Sequence, residues 1–116
     1  MVESSKAVGP WREAVRTETQ RVMDGRAPLD GALRVEMCFY LPRPKSHMSA
    51  RGGLRPSAPA HHITKLDLDK LCRAVGDAMT AGGICRDDSQ VVVLHAEKLY
   101  ADDYPPGARI IAESLP

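Results

Sequence analysis

A chain of 116 residues makes one domain with a modest core, since a chain of this size buries about two-thirds of its unfolded surface. Its 43% hydrophobic and 27% charged residues are ordinary for a soluble globular protein, and the longest aliphatic run, Val91 to Leu94, is too short to span a membrane. The net charge of +1 conceals a segregation: residues 37–66 carry five basic side chains (Arg43, Lys45, Arg51, Arg55, Lys65) and no acid, whereas residues 67–116 carry nine acids against five bases. A basic stretch feeding an acidic cluster suggests an anion-binding loop beside a cation site, although a solvated loop that lacks acids has the same composition. Three cysteines without a Cys-x-x-Cys pair argue against a disulfide framework or a zinc finger and fit a reducing, cytoplasmic compartment. Residues 1–15 hold no apolar core of the signal-peptide kind.

The first element is an amphipathic helix. Gly9-Pro10 is a start signal, Trp11, Val15, Thr19 and Val22 recur at helical spacing, and Gly25 is a stop. Trp11 is expected as a core anchor. After the turn residues Pro28 to Gly31, alternation of Leu33, Val35, Met37, Phe39 and Leu41 with polar neighbours predicts a strand buried on one face, ended by Pro42 and Pro44. From residue 43 to 64 there is no period, only Pro, Gly, Ser, His and basic residues, which reads as a long flexible loop. A second helix from about Asp67 to Thr80 carries the stripe Leu68, Leu71, Cys72, Val75 and Met79 and stops at Gly82-Gly83. Strands are expected over Gln90–Leu99 and, beyond Pro105-Pro106-Gly107, over Arg109–Ala112. Helix, strand, loop, helix, strand, strand is an α+β order in a single domain over residues 1–116.

Asp67-Leu68-Asp69 is the sharpest chemical feature. Carboxylates at i and i+2 diverge on a helix and share a face only in extended chain, so they hold one ion if the helix begins between them. Asp67 would then be the N-cap, with Leu66 and Leu71 placed as a hydrophobic staple. Taken singly, either residue is equally a routine helix-start Asp. Asp69, Arg73 and Asp77 follow at i, i+4 and i+8, an arrangement that serves either a phosphate held near the carboxylates or a plain charge ladder. Asp87 and Asp88 lie in the turn before the next strand. If that turn closes on the helix start, Asp67, Asp69 and Asp88 converge, with Asp87 beside them. An all-oxygen set suits Mg²⁺ or Mn²⁺ and implies phosphodiester hydrolysis. His61 and His62 read as solvated or phosphate-contacting, His95 as packed or at an edge, and Cys72 and Cys85 as small buried hydrophobes. An aspartate-nucleophile phosphotransferase would need its first Asp at the end of an apolar strand, and His61 to Lys65 is not one.

Lys65-Leu66-Asp67-Leu68-Asp69-Lys70-Leu71, then Arg73 to Met79, then Asp87-Asp88-Ser89-Gln90-Val91-Val92, resembles the RusA family of Holliday junction resolvases. The helix around Trp11, Pro28-Leu29 and Leu41-Pro42-Arg43-Pro44-Lys45 are similar too, so the resemblance covers nearly the whole chain. It implies a Mg²⁺-dependent homodimeric endonuclease, often encoded by prophages, that serves DNA recombination and repair by cutting four-way DNA junctions with paired incisions. The family's metal aspartates fall on Asp67, Asp69 and Asp88, its catalytic lysine on Arg73, and its helix Asp on Asp77, with Asp87 in support. Lys45, Arg51, Arg55, Lys65 and Lys70 would face the DNA phosphates. Three departures stand out. Lys70 replaces the usual Asn, Arg73 keeps the Lys charge but cannot donate a proton at neutral pH, and the family's leading strand is missing ahead of the first helix. A chain that had lost its metal site would be a junction-binding module that does not cut.

Overall fold

The computed structural model describes residues 2–116, with side chains from Gly9 onward. Its elements are α1 (Val2–Met23), β1 (Leu33–Leu41), α2 (Leu68–Ala81), β2 (Val91–Tyr100) and β3 (Gly107–Ser114), with short 3-10 turns at Lys45–His47 and Asp88–Gln90. The described chain opens on α1, with no strand ahead of it, and two helices on one three-stranded mixed sheet make the expected α+β fold.

The sheet order is β2-β1-β3, with β1 parallel to β2 and antiparallel to β3. Parallel neighbours need a crossover, and α2 supplies it. Along β1 the side chains alternate between buried and half-buried. Leu33, Val35, Met37, Phe39 and Leu41 point to the helices, while Arg34, Glu36, Cys38 and Tyr40 face away. Val35, Met37 and Phe39 meet Leu71, Ala74, Val75, Ala78 and Met79 of α2 and Val15 of α1 in one core. Trp11 packs edge-on against Phe39 with ring centroids 5.9 Å apart, anchoring α1 as its sequence position suggested. Among the described residues no helix covers the opposite sheet face. There Arg34 bridges Glu36 at 2.7 Å and Glu113 at 3.1 Å.

Two boundaries differ from the sequence reading. α1 runs through Pro10 rather than starting there. Proline removes one i→i−4 bond from a helix interior, and the residues before it carry no apolar period that would have marked the extra turns. β3 is longer than Arg109–Ala112 because its register with β1 extends from Gly107 to Ser114. Past α1, Gly25 takes φ 74°, the left-handed geometry that favours glycine after a helix end.

Candidate functional site

The site residues are placed by the ends of the crossover. β1 leaves the sheet at Leu41, and α2 begins at Leu68 beside the far end of β2. There the Lys98 ammonium donates to the carbonyls of Thr64 and Leu66 at 2.8 and 2.9 Å. Asp67 is the N-cap residue, extended at φ −71° and ψ 136°, and Asp69 lies in the first turn. The helix therefore begins between the two carboxylates, as their joint use requires. The expected capping bond is absent: the Asp67 side chain accepts no backbone N–H of the first turn and sits 3.5 Å from the Lys70 ammonium. Leu71 is fully buried and Leu66 packs against the same core, so the chain on both sides of Asp67 is fixed. The helix dipole favours carboxylates here by about 0.3–1 kcal/mol.

Asp69, Arg73 and Asp77 are all exposed. Among the described residues Arg73 pairs with neither acid, so the charge ladder is not formed and its guanidinium stands open on the helix surface. Cys72 behind Asp69 is half-buried, and burial together with the Asp69 charge pushes its thiol pKa up. Cys85 is buried, as expected of a small hydrophobe. His95 is exposed, 3.2 Å from Glu97.

Asp88 stands elsewhere. The helix descends from Leu68 to Ala81 and ends where a Cβ on Gly82 would meet Thr19 of α1. The chain then bridges Leu29 through Cys85, at the start of the parallel pair. Gln90 donates to the carbonyls of Leu29 and Gly31, both at 3.0 Å, and Arg86 pairs with Asp30. Asp87 caps this turn, its carboxylate held below the usual range chiefly by the Ser89 backbone N–H. A 14-residue helix is about 21 Å long, so Asp67 and Asp69 stand at one end of α2 and Asp88 at the other. Convergence of the three carboxylates, expected if the turn closed on the helix start, does not occur within one chain. The parallel crossover forces this, because it returns the chain to the beginning of β2. No group of three or more metal-ligating side chains is assembled among the described residues.

At the carboxyl end of the parallel strands, where open α/β sheets bind ligands, sequence reasoning missed a cluster. The Arg43 guanidinium carbon lies 3.8 Å over the Tyr100 ring. The same guanidinium grips Asp102 through Nε at 3.0 Å and Nη2 at 2.9 Å, and also donates to the Pro59 carbonyl. His47 and His62 contact the same ring at 5.4 and 4.9 Å between centroids. Partial burial, with the Lys98 charge nearby, lowers the His62 pKa, and its Nδ1 has no hydrogen-bond partner. Arg43 fixes the Asp102 carboxyl below its ordinary range. Its side-chain partners Tyr100 and Asp102 lie 57 and 59 positions away, beyond any local pattern.

This cluster ties the basic stretch to the sheet at both ends, with Arg43 at the start and the Lys98 contacts at Thr64 and Leu66. Between them Met48 bridges Leu54, and Arg55 spends its Nε on the Met48 carbonyl at 2.8 Å. Lys45, Arg51, Arg55 and Lys65 remain exposed, on the segment that ends at Asp67.

A family model described as endodeoxyribonuclease RusA matches residues 1–112. The chain belongs to the RusA family. The match extends over both helices and all of the sheet but the last two residues of β3, so it covers the Asp67–Asp69 helix start and the Asp88 turn alike. Among curated proteins, none matches significantly. RusA members are nucleases that resolve Holliday junctions, and membership supports nuclease activity on branched DNA here. No described helix is long and apolar enough to cross a membrane.

Proposed function

We propose that this RusA chain is a metal-dependent endonuclease that resolves four-way DNA junctions as a homodimer. The observation that carries the reading is the helix start: two carboxylates flank the first residue of α2, on a segment fixed by Lys98, at the end of a basic loop. Their donor chemistry fits Mg²⁺, which takes one or two protein carboxylates together with phosphate oxygens. Asp67, Asp69 and Asp88 are the residues assigned to hold it, with Mn²⁺ as a substitute. When bound, such an ion lowers the pKa of water and stabilises charge on a departing oxygen.

The chain's own groups do the rest. Arg73, exposed and open on the helix surface, holds the scissile phosphate electrostatically and cannot act as the proton donor. Lys45, Arg51, Arg55, Lys65 and Lys70 hold flanking phosphates, and backbone contacts of this kind position DNA without reading its sequence. Asp77 and Asp87 support the helix and the turn. A four-way junction has near two-fold symmetry, so a closed C₂ dimer presents two equivalent sites to it.

Asp69→Asn tests the assignment. A lost ligand carboxylate costs at least the ~100-fold upper value seen for residues that merely support ligands. Cutting therefore falls by that factor or more, while junction binding is kept or tightened because repulsion of phosphate is relieved. A variant that cuts at the wild-type rate would sink the assignment. The Lys70–Asp67 pair favours one second reading, a junction-binding module that does not cut. Tight binding without nicks in Mg²⁺ and in Mn²⁺ would select it.

A further inference from the structure

We propose that Arg43 is a positioning residue that sets the preference for branched over linear DNA, by locking the basic segment between β1 and α2 into a fixed arm. The inference rests on reading this chain as a junction nuclease whose basic loop holds flanking phosphates. It adds a residue that is neither a carboxylate of the site nor a cation facing DNA, because the Arg43 guanidinium is engaged within the chain.

The arm is built from its root. Arg43 stands just past the end of β1, with its guanidinium carbon 3.8 Å over the Tyr100 ring and its side chain only 9% exposed. Each of its three nitrogens has a partner. Nε and Nη2 donate to the two Asp102 carboxylate oxygens, while Nη1 donates to the Pro59 carbonyl and faces His47 Nδ1 at 3.4 Å. Pro59 lies 16 positions further on, so this one bond closes the segment onto its own start. Inside the closure the backbone folds back on itself. The Ser49 N–H donates to the Gly53 carbonyl at 2.7 Å and the Arg55 N–H to the His47 carbonyl at 2.9 Å, with Met48 bridging Leu54. Arg51 sits at the tip of this hairpin and Arg55 and Lys45 at its foot, all exposed. His47 before the hairpin and His62 after it contact the same Tyr100 ring, so both ends of the arm meet the sheet at one place.

A fixed arm and a loose one with the same charges treat DNA differently. A loose basic chain releases counterions from any duplex, and its binding follows charge and salt rather than shape. Around a branch point the phosphates belong to several helices that point different ways, whereas in linear duplex they follow one helix. Cations held at fixed spacing fit one of these arrangements, and their ordering cost is met in folding instead of on binding. Lysine cannot take the place of Arg43: it is a point charge without the planar fork that spans two carboxylate oxygens and a carbonyl while covering a ring. Arg43→Lys therefore loosens the arm at constant net charge and separates shape from charge.

The test measures the affinity of wild type, Arg43→Lys and Asp102→Asn for a four-way junction and a matched duplex, by fluorescence anisotropy in EDTA. Far-UV circular dichroism checks that each chain is folded. We expect Arg43→Lys to bind the junction roughly tenfold more weakly, since one or two long side chains must then be ordered on binding, and the duplex as the wild type does. Asp102→Asn lowers the junction-to-duplex ratio in the same way, and the double variant lowers it no further, because both break one contact. With Mg²⁺ and saturating junction, the single-turnover cutting rate stays at the wild-type value, so the loss shows only in the half-saturating concentration. A residue that shaped the carboxylate site would lower the rate instead. A wild-type ratio in Arg43→Lys, or equal weakening on both DNAs, would overturn the inference and leave the nuclease reading intact; Asp102→Asn carries the same test if Arg43→Lys does not fold. A wild type that prefers the junction, loses that preference in the variants and cuts nothing defeats the nuclease reading and leaves the arm standing. A wild type indifferent to branching defeats both.

Discussion

Gly82 and Gly76 are both helix-associated glycines, and the structure assigns opposite signs to their replacement by alanine. Gly82 ends α2 at φ −80° and ψ −7°, a geometry any residue adopts. Its Cβ would lie 2.6 Å from Thr19 Cβ and 2.7 Å from Thr19 Cγ2, with the Arg16 carbonyl at 3.1 Å. Replacing a glycine by alanine at a compatible site gains about 0.4–1 kcal/mol through the unfolded chain. Forcing a methyl into a packed contact costs about 1–3 kcal/mol. The clash wins, for a net loss of about 1–2 kcal/mol, or a Tm lower by roughly 4–8 °C in a small domain. Gly76, inside α2, has no atom within 4 Å of its added Cβ, so Gly76→Ala gains about 0.5–1 kcal/mol of helix propensity. Urea and thermal unfolding followed by circular dichroism measure both. Thr19→Gly removes the two closest atoms, so the double variant Thr19→Gly/Gly82→Ala recovers at least about 0.5 kcal/mol in a mutant cycle. A Gly82→Ala chain as stable as Gly76→Ala would refute the α1–α2 packing that sets the position of the helix carrying Asp69.

Other expectations concern the loop and its anchor. Lys45→Ala and Arg51→Ala should each flatten the dependence of log K on log salt by about 0.9 if each holds one phosphate; an unchanged slope removes them from the DNA surface. Lys98→Met frees the Thr64 and Leu66 carbonyls and loosens the Asp67 backbone, so cutting falls while junction affinity holds; full activity would show that Lys98 does not position the site. His62 has a pKa below its ordinary 6.5 in the folded chain, for burial first and the Lys98 charge second. Below 6.5 the unfolded chain binds the proton more readily, so stability falls as pH drops from there through the folded value. His62→Gln should shrink that fall, and an unaltered pH profile of Tm would contradict the placement of the ring beside Tyr100.

The sequence made β1 and α2 legible because each buries one face over several periods: strict alternation from Leu33 to Leu41, and an apolar stripe from Leu68 to Met79 closed by glycines. The helix start between Asp67 and Asp69 was legible for the same reason, since Leu66 and Leu71 pin the chain on both sides. What eluded it depends on topology. The antiparallel β3 and the parallel β2 flank β1, an order that no local pattern encodes, and that order carries Asp88 away from Asp67. The cluster around Arg43 escaped notice because Tyr100 and Asp102, which hold it, lie on the far side of the crossover. The capping role given to Asp67 failed because its carboxylate turns to Lys70 instead. The outer edge of β2 appears in sequence only as a run of aliphatic residues, which a buried strand shows equally well.

The central claim is metal-dependent cutting of branched DNA, and a labelled four-way junction beside a matched linear duplex tests it most directly. Each is incubated with the wild-type chain in Mg²⁺ and in EDTA, with Asp69→Asn run in parallel. The account predicts paired nicks on the junction alone, only with the metal, and none from the variant. Equal cutting of the duplex, cutting in EDTA, or binding with no nick in Mg²⁺ would contradict it.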